Sequence, residues 1–367
     1  MKNLFVINTP FQLLSAFMVA SSYEKDVQNY LLVLRPNEYE NWKHSTGIQY
    51  MLHDESTWNK IMIVEKWLQR DDVKSSYRQQ IKEMFDRIES VHGIDRVFLG
   101  SDKIIQNQMI VEIAGCTTYS LLDEGSFSYN SRDRKALSKI WQYLRIQYFR
   151  YVGNIHGNMK YNFSGIGYGP GNITDYLYRP EILGRKSKCI KKIEKEQIQS
   201  ILCTITSHMN NILILTQQPC IIFLGSPFIE QGKFTVKTEM EVLNHIYKMA
   251  QKYELRLIYK IHHSENQEKL NKYQQAYPEM AILNSLEPAE LLYHKYENIR
   301  YVISFASSGM LYINTFADQH IMPIAAYKLY GQAEIQPRIK KIFESSGVCI
   351  PENWEEMKAI FSRLQSE

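Results

Sequence analysis

The chain has 367 residues, with 43 Lys and Arg against 39 Asp and Glu, and is 44% hydrophobic and 22% charged. At roughly 150 residues per domain this length predicts about two domains, and the composition excludes a mainly disordered chain. A formal charge of +4 is too small to mark a nucleic-acid-binding protein. Five widely spaced Cys, with no C-x-x-C pair, read as reduced thiols in a cytoplasmic chain and argue against a zinc site. No apolar run approaches the roughly 20 residues that span a bilayer.

The pattern begins with Leu4–Ile7 as a buried strand. Thr9, Pro10 and Gln12 follow as an N-cap, a first helical residue and the third position of a capping box. Asn8, Thr9 and Pro10 interrupt the apolar run too early for a signal peptide. Strands are predicted at Tyr30–Leu34, Ile61–Val64, Arg96–Leu99 and Thr117–Leu122. Helices are predicted at Val73–Val91, from Ser101 to Gly115, and at Ala136–Tyr151, the last rich in aromatics. The Gly-rich stretch Tyr161–Arg179 reads as a break between halves, followed by a basic helical segment, Lys186–Met209. Alternation resumes with strands Cys220–Leu224, Leu255–Ile261, Tyr301–Phe305 and Ile321–Ala325. Helices Glu239–Lys252, Pro288–Tyr296 and Trp354–Leu364 accompany them, with one more after Ser307-Ser308-Gly309. Repeated strand–helix units predict an α/β fold of parallel sheets covered by helices. The expected division is 1–175, 176–350 and a C-terminal helix, 351–367, packing back on the first domain.

In open α/β sheets ligands sit beyond the carboxyl ends of the strands, so the residues just after each strand carry the chemistry. Asp123-Glu124-Gly125-Ser126 offers carboxylates at a tight turn, one of which could be a general base. Lys260-Ile261-His262-His263 offers an imidazole that could protonate a leaving phosphate. Ser307, Ser308 and the free amides of a helix start suit an anion. Glu290 opens a helix and could reach a ribose diol, and Gly225-Ser226-Pro227 lets backbone approach a nucleotide. Each also has a purely structural reading: a carboxylate capping a turn, a satisfied core His, an N-capping Ser, a first-turn Glu. The repeat Gly165-Ile166-Gly167-Tyr168-Gly169 lacks a preceding strand and does not read as a dinucleotide loop. No Asp-x-Asp pair stands at a strand end, and Asp71-Asp72 reads as solvated surface.

In this order, Asp-Glu-Gly, Lys-x-His and Ser-Ser resemble the motifs of the bacterial GT-B sialyltransferases. The set is most similar to the lipooligosaccharide sialyltransferases, glycosyltransferase family 52. The related capsular polysialyltransferases and multifunctional sialyltransferases share the motifs. Asn3-Leu4-Phe5, Thr9-Pro10-Phe11-Gln12 and Phe223–Pro227 also look like that family. His263 departs from it, standing where Pro is expected.

The resemblance implies a GT-B fold, two Rossmann-like domains facing a central cleft. It implies an inverting, metal-independent transfer, with no cofactor, from CMP-sialic acid to a terminal galactoside of lipooligosaccharide or capsule, through an α-2,3 link. Asp123 would be the general base and His262 the general acid. Glu290, Ser307, Ser308, Gly225, Ser226 and Lys260 would bind the donor. Asn8, Thr9, Gln12, Glu124 and Ser126 would lie on the acceptor side. The basic stretches Arg132–Arg150 and Arg185–Lys195 suggest a peripheral contact with the inner membrane. A polysialyltransferase, a hexosyltransferase with another donor and a non-catalytic assembly subunit remain open, as does a homodimer.

Overall fold

A computed structural model of the chain describes residues 1–24, 26–34, 42–64, 86–88, 93–129, 135–153, 155–262, 264–331 and 334–364. Apart from 86–88, the predicted helix 73–91 lies outside the described residues, as do Asp71, Asp72, Arg132 and His263. The chain divides into two units, Met1–Ile201 and Leu202–Glu367.

The first unit is built on a parallel sheet of seven described strands: β1 (Lys2–Ile7), β2 (Gln28–Leu34), β3 (Lys60–Val64), β4 (Arg96–Leu99), β5 (Tyr119–Leu122), β6 (Asn172–Leu177) and β7 (Ile190–Lys192). Its helices include α1 (Pro10–Ala20), α2 (Thr46–His53), α3 (Ile105–Ile113), α4 (Ala136–Gly153) and α5 (Lys195–Ser207), the last crossing the unit boundary. The strand order is β3-β2-β1-β4-β5-β6-β7. In β1 Leu4, Phe5, Val6 and Ile7 are all fully buried, as a strand covered on both faces requires. Phe5 stacks on Phe98 with ring centroids 4.4 Å apart. Thr9 caps α1, its hydroxyl accepting from the Gln12 N–H at 3.2 Å.

The second unit holds β8 (Cys220–Leu224), β9 (Arg256–Lys260), β10 (Ala281–Leu283), β11 (Ile299–Ser304) and β12 (Met322–Ala325) in one parallel sheet. The order is β10-β9-β8-β11-β12. Its longer helices are α6 (Val236–Lys252), α7 (Gln267–Ala276), α8 (Ala289–Lys295), α9 (Pro337–Ser345) and α10 (Trp354–Leu364). Both units are Rossmann-like, with parallel strands and intervening helices.

Four expectations change. The boundary falls at 201/202 rather than 175/176, because β6 and β7 extend the first sheet. Helix α10, expected against the first domain, packs in the second unit, Phe361 stacking on Tyr301 at 4.2 Å and Trp354 on His245 at 4.3 Å. Ser101 does not cap a helix, since α3 starts at Ile105 after Ile104. Arg185 is no part of a surface stripe: it makes two 2.8 Å bonds to Asp175 in the core.

Candidate active-site residues

In the first unit the strand order reverses beside β1: β2 and β3 run outward on one side and β4 lies on the other. Such a reversal opens a crevice at the carboxyl ends of β1 and β4. Asn8, Thr9 and Gln12 follow β1, Gly100, Ser101 and Asp102 follow β4, and Asp123 and Glu124 follow β5. The Gln12 side chain links them. Its Oε1 accepts from the Asn8 N–H at 2.7 Å, and its Nε2 donates to Glu124 Oε2 at 3.0 Å. Gly100 makes room for it, because a Cβ there would overlap the Gln12 amide. Asn8 is fixed in turn, donating to the Leu34 carbonyl at 3.1 Å and accepting from Asn107 at 2.9 Å.

The two neighbouring carboxylates differ. Asp123 is fully buried and accepts from the Gly125 N–H at 3.0 Å, the Tyr178 N–H at 3.2 Å and the Tyr129 hydroxyl. Gly125 allows this turn with a φ of 102°, in the left-handed half of conformational space. Glu124 is only partly covered, and its backbone N–H donates to Ser128 Oγ at 2.8 Å. Its carboxyl pKa is pushed up to about 8, first by burial and further by Asp102 and Asp123, while hydrogen bonds from Ser101 and Gln12 oppose the shift. Asp102 is itself buried, accepts from Tyr119 at 2.7 Å and from the Gly167 N–H at 2.9 Å, and is pushed up by burial. The Gly-rich segment around Gly167 thus packs against Asp102. Ser126 opens the short helix Ser126–Tyr129 and is half-buried.

In the second unit the order reverses beside β8, which lies between β9 and β11. Gly225, His262 and Ser307 stand just beyond these three adjacent strands. The His262 N–H donates to Glu265 Oε2 at 2.6 Å, and His262 Nδ1 accepts from the Ser264 N–H at 3.2 Å. With Nδ1 an acceptor, the neutral ring carries its proton on Nε2. Glu265 also accepts from Tyr259 at 2.6 Å and pairs with the buried Lys269. Lys269 lies 3.6 Å from Glu239 and 3.7 Å from Glu230, and donates to the Ser226 carbonyl at 3.4 Å. A Cβ on Gly225 would overlap the Glu265 carboxylate. One ionic cluster therefore sits under both the Gly225-Ser226 turn and the His262 turn.

Lys260, at the end of β9, donates to the Ser285 carbonyl at 2.8 Å. Burial pushes its pKa down to about 8, against the opposing pull of Glu290 and Glu287. Ser307 caps a five-residue 3-10 turn, Ser308–Tyr312, its hydroxyl accepting from the Gly309 N–H at 3.3 Å. The expected helix begins as this 3-10 turn and continues as one α-helical turn, Ile313–Phe316.

The sequence model of the alpha-2,8-polysialyltransferase family matches residues 3–321. The chain belongs to that family. It is a glycosyltransferase, acting with a nucleotide-sugar donor and a glycan acceptor. Among solved structures it is similar to the UDP-GlcNAc 2-epimerase of Neisseria meningitidis bound to UDP-GlcNAc, at TM-score 0.56 and 10% identity over 100% of this chain and 92% of that one. The Methanocaldococcus jannaschii UDP-GlcNAc 2-epimerase in complex with UDP-GlcNAc and UDP gives 0.53 and 12% over 98% and 92%. The E. coli heptosyltransferase WaaC with ADP-2-deoxy-2-fluoro heptose gives 0.42 and 10% over 96% and 94%. At these identities the likeness to the two epimerases is one of fold, and the fold is of the GT-B type. Curated proteins give no match.

In this family member the predicted acceptor-side residues Asn8, Thr9, Gln12 and Glu124 form one bonded group, while Asp123 sits behind them in the core. Gly225, Ser226 and His262 share the Glu265–Lys269 cluster, and Lys260 and Glu290 interact with each other. Asp102, Tyr129 and Tyr178 escaped sequence reasoning because no motif marks them. Glu265 and Lys269 could have been found: they are an i, i+4 pair immediately after the His motif.

Proposed function

We propose that this glycosyltransferase moves sialic acid from CMP-sialic acid to the terminal galactose of a bacterial surface glycan. The reaction inverts the anomeric centre and needs no metal. The match of residues 3–321 to a sialic-acid-transferring family carries the reading. The motifs shared with the lipooligosaccharide sialyltransferases support the galactoside acceptor and an α-2,3 link.

In the proposed reaction a carboxylate takes the proton of the acceptor hydroxyl as that oxygen attacks the anomeric carbon. The bond to CMP breaks, and the departing phosphate oxygen takes the Nε2 proton of His262, which enters the step as imidazolium and ends as a neutral ring. Motif correspondence gives the base role to Asp123. Glu124 keeps some exposure where Asp123 has none, and this and its raised pKa favour Glu124 as a second reading. Ser307 and Ser308 hold the phosphate, Glu290 takes the ribose hydroxyls with Lys260 beside it, and Gly225-Ser226 lies against the nucleotide. The protein works in the cytoplasm, with its basic surface against an anionic membrane.

The family name favours one other acceptor, a sialic acid already in place. Incubation with CMP-sialic acid and a galactosyl or sialyl oligosaccharide separates the two by product length in mass spectrometry. CMP release with the galactosyl acceptor, lost by several powers of ten in Asp123→Asn or Glu124→Gln, is the expected result. UDP binding without CMP binding overturns the donor assignment, and no nucleotide release with any acceptor overturns the enzyme reading.

A further inference from the structure

We propose that the outer face of α4 is an interfacial membrane anchor that lies in the headgroup region of an anionic bilayer. Its inner face belongs to the first unit's core: Ile146 and Phe149 are buried there and Tyr148 packs beside them. The opposite face is apolar as well. Leu137 is 74% exposed, Ile140 55%, Trp141 71% and Leu144 52%. Their spacing is i, i+3, i+4 and i+7, so they form one stripe rather than scattered surface residues. Tyr151, 83% exposed, continues the stripe two turns on.

The charge on α4 chooses the occupant. The sequence ALSKIWQYLRIQYFRYVG contains no Asp or Glu. Arg145 is exposed, and exposed Lys135 directly precedes the helix, whereas Arg150 pairs with Glu112. A second copy docking through the same face would bring Arg145 against Arg145 with no carboxylate on either helix to pair. An anionic headgroup layer meets the cations, takes the Leu and Ile side chains just below it, and seats Trp and Tyr at the depth they prefer. The helix has 18 residues, about 27 Å, enough to lie along the surface. No described helix is long and apolar enough to cross a membrane. The inference extends the peripheral contact proposed above and is independent of donor and acceptor.

The test is co-sedimentation of the full chain with vesicles of equimolar phosphatidylcholine and phosphatidylglycerol, or of phosphatidylcholine alone. Binding is expected to the anionic vesicles, weaker in high salt. It should drop at least about tenfold in Leu137→Glu/Leu144→Glu, whose thermal transition by circular dichroism stays cooperative. Trp141 emission should shift to the blue on binding and be quenched by brominated lipid, and Trp141→Phe should lose that response. Equal sedimentation of the double variant and the parent overturns the proposal, as does failure of the parent to sediment. A dimer in size-exclusion chromatography that the double variant dissolves assigns the face to a second copy and overturns it too. None of these readouts uses sialyl transfer, so a failed transfer assay leaves them standing.

Discussion

Gln12 donates to Glu124 at 3.0 Å across a separation of 112 residues, tying the first turn of α1 to the end of β5. The same side chain accepts from the Asn8 N–H, and both groups it serves are largely shielded from water. Gln12→Ala leaves the Asn8 N–H without that acceptor and strips one donor from the Glu124 carboxylate. Loss of a buried partner costs about 1–3 kcal/mol, so the urea midpoint should fall with an unchanged m value. The Glu124 pKa should rise further, because a bond that favours the ionised form has gone.

Glu124 gives the pH dependence a definite sign. Its native pKa, about 8, lies above the ordinary 4.5, so between these values the folded chain holds a proton that the unfolded chain has released. The contribution of this group is fully present below 4.5 and is lost as pH rises through 8. Relative to Glu124→Gln, the parent should lose on the order of a few kcal/mol of unfolding free energy between about pH 5 and about pH 9. Urea titrations of both proteins across that range check it. A kcat that rises through the same range in the parent and not in the variant assigns the base to Glu124. An unshifted profile in the variant leaves the role with Asp123.

Much of this arrangement was legible in the chain because β1, β8 and α10 are local patterns: an apolar run or a 3.6-residue period ended by turn residues. The strand-end rule then pointed to Asp123, Glu124, His262 and Ser307 without knowledge of strand order. Strand β6 was hidden because Asp175 breaks its apolar run, and only the fold brings Arg185 to neutralise that carboxylate. Missing β6 also moved the expected domain border into the first sheet. The contrast between Asp123 and Glu124 was equally invisible, since it depends on Tyr129 and Tyr178 arriving from two other segments.

Lys269 is the cation that makes three acidic neighbours tolerable. Its side chain is 1% exposed, and those of Glu265 and Glu239 are 0% and 6%. Lys269→Met keeps the volume and removes the charge, leaving buried carboxylates unpaired, at a cost of about 3–5 kcal/mol in denaturant unfolding. Burial already pushes Glu239 up, so acidification should protonate these groups and return part of the loss. The variant should therefore gain on the parent as pH falls, which thermal melts in a pH series would record.

Gly225 is the sharpest steric test of the cluster beneath His262. A methyl group there meets the Glu265 carboxylate, which cannot swing away without abandoning the His262 N–H, Tyr259 and Lys269. Gly225→Ala should therefore displace the His262 turn, costing about 1–3 kcal/mol of stability as overpacking does. With His262 as general acid, kcat should fall about tenfold or more, since its contribution depends on placement. Gly309→Ala is the matched control in the same sheet-end region: its Cβ would meet nothing nearer than 3.5 Å. That variant should melt close to the parent and keep its rate. If Gly225→Ala behaves like Gly309→Ala in both measurements, the Glu265 cluster does not position His262.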